Sequence, residues 1–173
     1  MPNAINRVTG KVKQTFIPGK DGNDDRTAID VYCNEGNTAV KIKAGSYFGD
    51  TPAGLLNLQD GATGTVAFIE VGGKGKTFRK PVSFEPVQAD FEPEWQATRL
   101  YVEERKTKTG NRYAAVCMLP DGDAPAIQMS GVFEDELIDR FLDTDIDTGY
   151  LVGYAHDGQW LEPLEVMEIP ETK

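Results

Sequence analysis

The chain alternates apolar and polar residues in short runs, separated by turns rich in Gly, Asn and Asp. From Val8, Val12 falls on the same side of an extended strand while Lys11 and Lys13 fall on the other. Ile29, Val31 and Cys33 form a second such set, with Asp30 and Tyr32 pointing outward. A third pairs Val40 and Ile42 against Lys41 and Lys43. A fourth apolar run opens at Gly64 and a fifth at Phe78, with GGKGKT between them as a hairpin turn. Between the third and fourth runs, DTPAGLLNLQDG carries helix punctuation: Asp50 or Thr51 as N-cap, Pro52 in the first turn and Gly61 as the stop.

The same order returns downstream. TAIDVYCNEGNTAVKIKAGSYF, from Thr27, matches RYAAVCMLPDGDAPAIQMSGVF, from Arg112, in alternation, turn and closing aromatic. The cysteines are offset by 84 positions and Gly45 and Gly131 by 86. A second helical stretch, VFEDELIDRFLDTDIDTG, places Phe133, Leu137, Phe141 and Leu142 on one face. GYLVGYAH then mirrors GTVAFIEV, and Trp160 opens the last run as Phe78 does in the first half. Each half reads β-β-β-α-β-β. The expected fold is therefore all-β with two short helices: tandem five-stranded barrels of the oligonucleotide/oligosaccharide-binding (OB) kind, ahead of a single ten-stranded sandwich. The expected organisation is a first barrel over 1–89, a linker over 90–97 and a second, acidic barrel over 98–173.

Charge divides the halves. Residues 1–89 hold eleven Lys and Arg against nine Asp and Glu, whereas residues 90–173 hold seven against nineteen. The total of −10 argues against nonspecific adhesion to membranes or duplex DNA. A local basic groove survives that total, because salt screens the field within about 10 Å. No apolar run approaches the roughly 18 residues of a membrane span. Met1–Gly10 lacks a secretory apolar stretch, so the expected location is the cytoplasm. Two cysteines, Cys33 and Cys117, are too few for a disulfide framework and read as small buried residues. His156, the one histidine, reads as an exposed turn residue.

Catalytic signatures are missing. DTDIDTG from Asp143 has alternating carboxylates but no closing Glu, so no calcium loop is expected. GGKGKT lacks phosphate-loop spacing. The expectation is a protein that is not an enzyme and holds no metal and no cofactor. A metal-dependent nuclease accessory using the carboxylates from Glu134 to Asp147 ranks last.

Binding has more residues behind it. The outward lysines Lys11, Lys13, Lys41 and Lys43 beside Tyr32 suit an unpaired strand, where cations follow phosphates and flat rings stack on bases. Phe16, Lys20, Arg26, Tyr47 and Phe48 extend the groove on one side; Lys74, Lys76, Phe78 and Arg79 close it on the other. The competing reading of Phe78 and Trp160 is as core residues. In the acidic half, EERKTKTGNRYAAV gathers Arg105, Lys106, Lys108, Arg112 and Tyr113 in a strand-turn-strand setting.

That hairpin, with Lys108, Gly110, Arg112 and Tyr113 leading into the next strand, resembles the single-stranded-DNA-binding proteins of phages, the small ones of filamentous phages above all. The resemblance covers roughly residues 98–169 and departs in being a tandem. It implies that Arg105, Lys108 and Arg112 contact phosphate and that Tyr113 stacks on a base. The function expected is sequence-tolerant binding of single-stranded DNA, or RNA, in phage or plasmid replication or recombination. Replication proteins are the expected partners of the acidic helix at 134–147, and open barrel edges leave room for a homodimer. The alternative is a protein-interaction or virion-assembly module on the same barrels.

Overall fold

The computed structural model describes residues 4–19, 22, 24–48, 59, 61–73 and 75–169. The chain divides into two compact units, one formed by Met1–Gly36 with Val40–Glu92 and the other by Asn37–Ala39 with Pro93–Lys173.

The first unit carries β1 (Ile5–Ile17), β2 (Arg26–Glu35), β3 (Thr38–Phe48), β4 (Thr63–Gly73) and β5 (Lys76–Pro86). Their order across the sheet is β5-β4-β1-β2-β3, which puts β1 at the centre. Val12 pairs Val31 and Val8 pairs Val66 in the antiparallel ladders. Val12, Ile29, Val31, Val66, Phe68 and Phe84 make the core on this face. The apolar parity expected of the first two strands therefore holds at Val12, Ile29 and Val31, which are fully buried.

The second unit carries β6 (Glu94–Lys106), β7 (Arg112–Leu119), β8 (Ile127–Gln128), α1 (Asp135–Leu142), β9 (Tyr150–Asp157) and β10 (Trp160–Glu168). Its order is β10-β9-β6-β7-β8, the same sequence of neighbours as in the first unit. The buried rung Leu100–Met118 corresponds to Val12–Val31, and Val152 to Val66. Ile138 and Phe141 of α1 sit in this core, with Leu137 and Leu142 partly buried beside them. Asp135 and Glu136 in the first turn and Arg140 in the last complement the helix dipole. Phe133 lies outside the helix and is exposed.

Two expectations are corrected. The barrels do not close: among the described residues β3 and β5 share no ladder, nor do β8 and β10. In the first unit the close approach falls at Gly45, where φ is +106° and a Cβ would overlap the Arg79 carbonyl. In the second, Pro120, Gly122 and Pro125 interrupt the chain before β8, leaving it two residues long. Only one helix, α1, is present among the described residues. The first-half helix expected at 50–61 falls almost wholly outside them.

Candidate nucleic-acid interface

Side chains directly opposite across a ladder share a face. The face of the first unit away from its core is therefore legible from the registers. Arg7, Thr9, Lys11 and Lys13 follow one another on β1, with Tyr32 opposite Lys11 and Asp30 opposite Lys13. On the other flank Arg7 pairs Ala67, Ile5 pairs Ile69, and Ile69 pairs Lys80. β4 and β5 then run past the start of β1 as a two-stranded arm, in which Val71 pairs Phe78 and Gly73 pairs Lys76. Arg7, Lys11, Lys76 and Lys80 are exposed, and so is Phe78, at 60%. Thr9 and Thr65 link hydroxyls at 2.7 Å in the middle of this face. The carboxylates on it are Asp30 and Glu85.

Several expected contributors are engaged elsewhere. Tyr32 is on the outer face as alternation requires, yet it is 4% exposed, because Phe91 lies over it. Lys41 forms a 3.7 Å ion pair with Asp30, both side chains about six-sevenths buried at 15% and 14% exposure. Lys13 is half-buried on the same rung as Asp30. Lys43 is exposed, and its carbonyl accepts from Arg79 Nη1 at 2.9 Å. Arg79 faces the core side of the sheet, 5.1 Å from the Phe68 ring centroid and 3.5 Å from Glu70. Arg79 therefore bridges strands and is turned away from Phe78.

Among the loop-flanking residues, Phe16 and Phe48 are exposed, at 63% and 58%, and Arg26 is exposed at the start of β2. Tyr47, expected to line the groove, is instead part of the core. Lys20 and Lys74 lie outside the described residues. Phe78 and Trp160, for which a core position was the competing expectation, are both exposed.

The basic hairpin of the second unit is largely neutralised. Arg105 donates to Glu103 at 2.8 Å. Arg112 donates from Nη2 to Asp139 at 2.9 Å and from Nε to Asp135 at 3.1 Å, with Glu104 3.9 Å from Nη1. The hydrogen bonds from Asp139 and Asp135 hold the guanidinium charged more firmly than usual. Tyr113 stacks on Phe133, with centroids 5.2 Å apart and planes 22° apart. Lys106 and Lys108 remain exposed at the turn.

His156 is not a turn residue. It sits on β9, its Nε2 2.8 Å from Glu94 Oε2, and the same carboxylate oxygen accepts from the Ala39 N–H at 3.2 Å. Cys33 and Cys117 are half-buried; burial, with Glu35 adding to it, pushes the Cys33 thiol up. Among the described residues no three His, Cys, Asp or Glu side chains gather as metal ligands, and no helix is long and apolar enough to cross a membrane.

Arg7 and Lys80 are exposed on this candidate face and were missed in the sequence. Arg7 shares the parity of Lys11, and Lys80 that of Phe78, so alternation alone carried the signal. No family model, curated protein or solved structure matches this chain.

Proposed function

We propose that the first unit binds single-stranded nucleic acid, DNA in the first instance, across the outer face of β1, β4 and β5 without reading its sequence. One observation carries the reading: exposed Lys76 and Lys80 flank the exposed ring of Phe78 on β5, and exposed Arg7 and Lys11 lie further along the same sheet face on β1. Alternate residues of a strand stand about 6.7 Å apart, so Arg7 and Lys11, with Thr9 between them, offer two cations about 13 Å apart along one line of β1. The Phe78 ring supplies a π surface to any unpaired base, worth about 1 to 3 kcal/mol. A duplex buries its base faces and gains nothing from that ring. Affinity then comes chiefly from counterion release, and four phosphate contacts give a log–log salt slope of about −3 for a single strand. The role that follows is to coat exposed strands during replication or recombination.

Fluorescence anisotropy of a labelled oligo-dT at two salt concentrations tests this. The wild-type chain should bind with steep salt dependence, and an Arg7→Glu/Lys80→Glu chain should lose most of that binding. Equal binding by both chains at low salt would move the site off this face.

A further inference from the structure

The exposed cations of the first unit stand in a fixed order along β4. Lys76 lies opposite Gly73, Phe78 opposite Val71 and Lys80 opposite Ile69. Arg7, Thr9 and Lys11 then lie opposite Ala67, Thr65 and Thr63 on the other flank. β4 runs from Thr63 to Gly73, so the two ends of this series are about 33 Å apart. The series is bounded. Lys13, the next outward residue of β1, is half-buried on the rung of Asp30, so the exposed cations end at Lys11. On β5 the exposed carboxylate of Glu85 lies opposite Thr65 and repels phosphate from the rest of that strand. A backbone that begins at Lys76 and Lys80 is thereby directed across β4 to Arg7 and Lys11. The series is also asymmetric. Its exposed ring, Phe78, stands between Lys76 and Lys80, whereas the ring opposite Lys11, Tyr32, is covered by Phe91.

We propose, resting on the single-strand reading above, that this face takes a strand of about six nucleotides lying diagonally from β5 to β1, with one base stacked at the Phe78 end and only backbone held from Lys80 to Lys11. An unstacked strand advances about twice the 3.4 Å per nucleotide of a stacked one. That step matches the roughly 6.7 Å between alternate residues of β4, so about six nucleotides reach from Lys76 to Lys11. A shorter strand leaves a terminal cation without a phosphate. The base beside Phe78 gains a π surface. Bases further along meet Thr9, whose hydroxyl is bonded to that of Thr65, and the Lys11 side chain instead. The ligand is therefore read as backbone everywhere except at one end.

Competition against a labelled long oligo-dT on the full chain, at low salt, tests both features. Unlabelled oligo-dT of three, six and twelve nucleotides should compete with affinity that rises steeply up to six and little beyond. Two further hexamers are abasic except for one terminal thymine, at the 5′ end in one and the 3′ end in the other. One of the two should bind about tenfold more tightly. Phe78→Ala should abolish that difference and leave the weaker hexamer unaffected. The proposal is overturned if three nucleotides compete as well as six, if the two one-thymine hexamers bind equally, or if their difference survives Phe78→Ala. No binding of the long oligo-dT, or equal binding by an Arg7→Glu/Lys80→Glu chain, overturns the reading on which it rests, and this proposal with it.

Discussion

Phe91 lies against Tyr32, the ring centroids 5.8 Å apart and the planes inclined by 56°. The segment that delivers Phe91 is fastened along the first unit. Thr63 Oγ1 donates to the Val87 carbonyl at 2.8 Å, while Asn34 and Glu92 exchange hydrogen bonds of 2.8 and 3.0 Å. This contact covers the Tyr32 ring, which is 4% exposed. Phe91→Ala should lower stability by about 1 to 2 kcal/mol, the loss of a half-buried ring, seen as a lower urea midpoint. Tyr32→Leu with unchanged circular dichroism should leave oligo-dT affinity unchanged; a weakened affinity would return Tyr32 to the binding surface.

Gly45 tests the approach between β3 and β5. Its φ of +106° is open to glycine and costly for other residues, and the Arg79 carbonyl occupies the place of a Cβ. Gly45→Ala should destabilise the first unit by about 2 to 4 kcal/mol, combining backbone strain with overpacking. Thermal unfolding followed by far-ultraviolet circular dichroism would measure it.

How far the chain was legible depended on how local each cause was. Alternation placed Val12, Ile29 and Val31 correctly because face selection needs only a period of two. The recurrence of five strands in each unit was also legible from matched punctuation. Aligning Cys33 with Cys117 failed in detail: Cys33 has the core-side parity of Val31, whereas Cys117 pairs Tyr101 on the outer face. A slip of one residue reverses the face, and composition does not sense it. Barrel closure was not legible because it depends on pairing between strands distant in sequence. Arg112 read as a phosphate ligand because its carboxylate partners lie 23 and 27 residues away. Phe91 over Tyr32 was hidden in the same way, in a segment that read as linker.

Asp145 makes the loop after α1 sensitive to acid. Its carboxylate accepts from Thr148 Oγ1 at 2.7 Å and from the Asp147 N–H at 3.0 Å, and these bonds hold its pKa below the ordinary aspartate value. A depressed folded-state pKa contributes stability above the unfolded-state pKa and loses it as pH falls through the folded one. Wild type should therefore be more stable than Asp145→Ala at neutral pH, and the difference should shrink below the ordinary aspartate range. Urea unfolding across an acid series would check this; a gap independent of pH would assign it to something other than the carboxylate.

Arg112 should act as a tie on α1. Its bonds to Asp135 and Asp139 anchor two successive turns of the helix to β7. Arg112→Gln should speed hydrogen exchange along α1 and leave the core strands protected. The same acceleration should appear in wild type at high salt, because the pair is exposed enough to be screened.

The two basic regions should separate in a salt titration. Lys11, on β1, and Lys80, beside Phe78 on β5, are exposed on the outer face. Arg105 is instead paired with Glu103, in a unit whose net charge opposes phosphate. Neutralising one phosphate-contacting cation should flatten the log–log salt slope by about 0.7 for a single strand. Lys11→Gln/Lys80→Gln should thus lower the slope by about 1.4 and weaken binding at low salt. Arg105→Gln/Lys108→Gln should change neither the slope nor the affinity. If that second pair alone flattened the slope, phosphate contact would belong to the acidic unit, and the outer face of the first would lose its assignment.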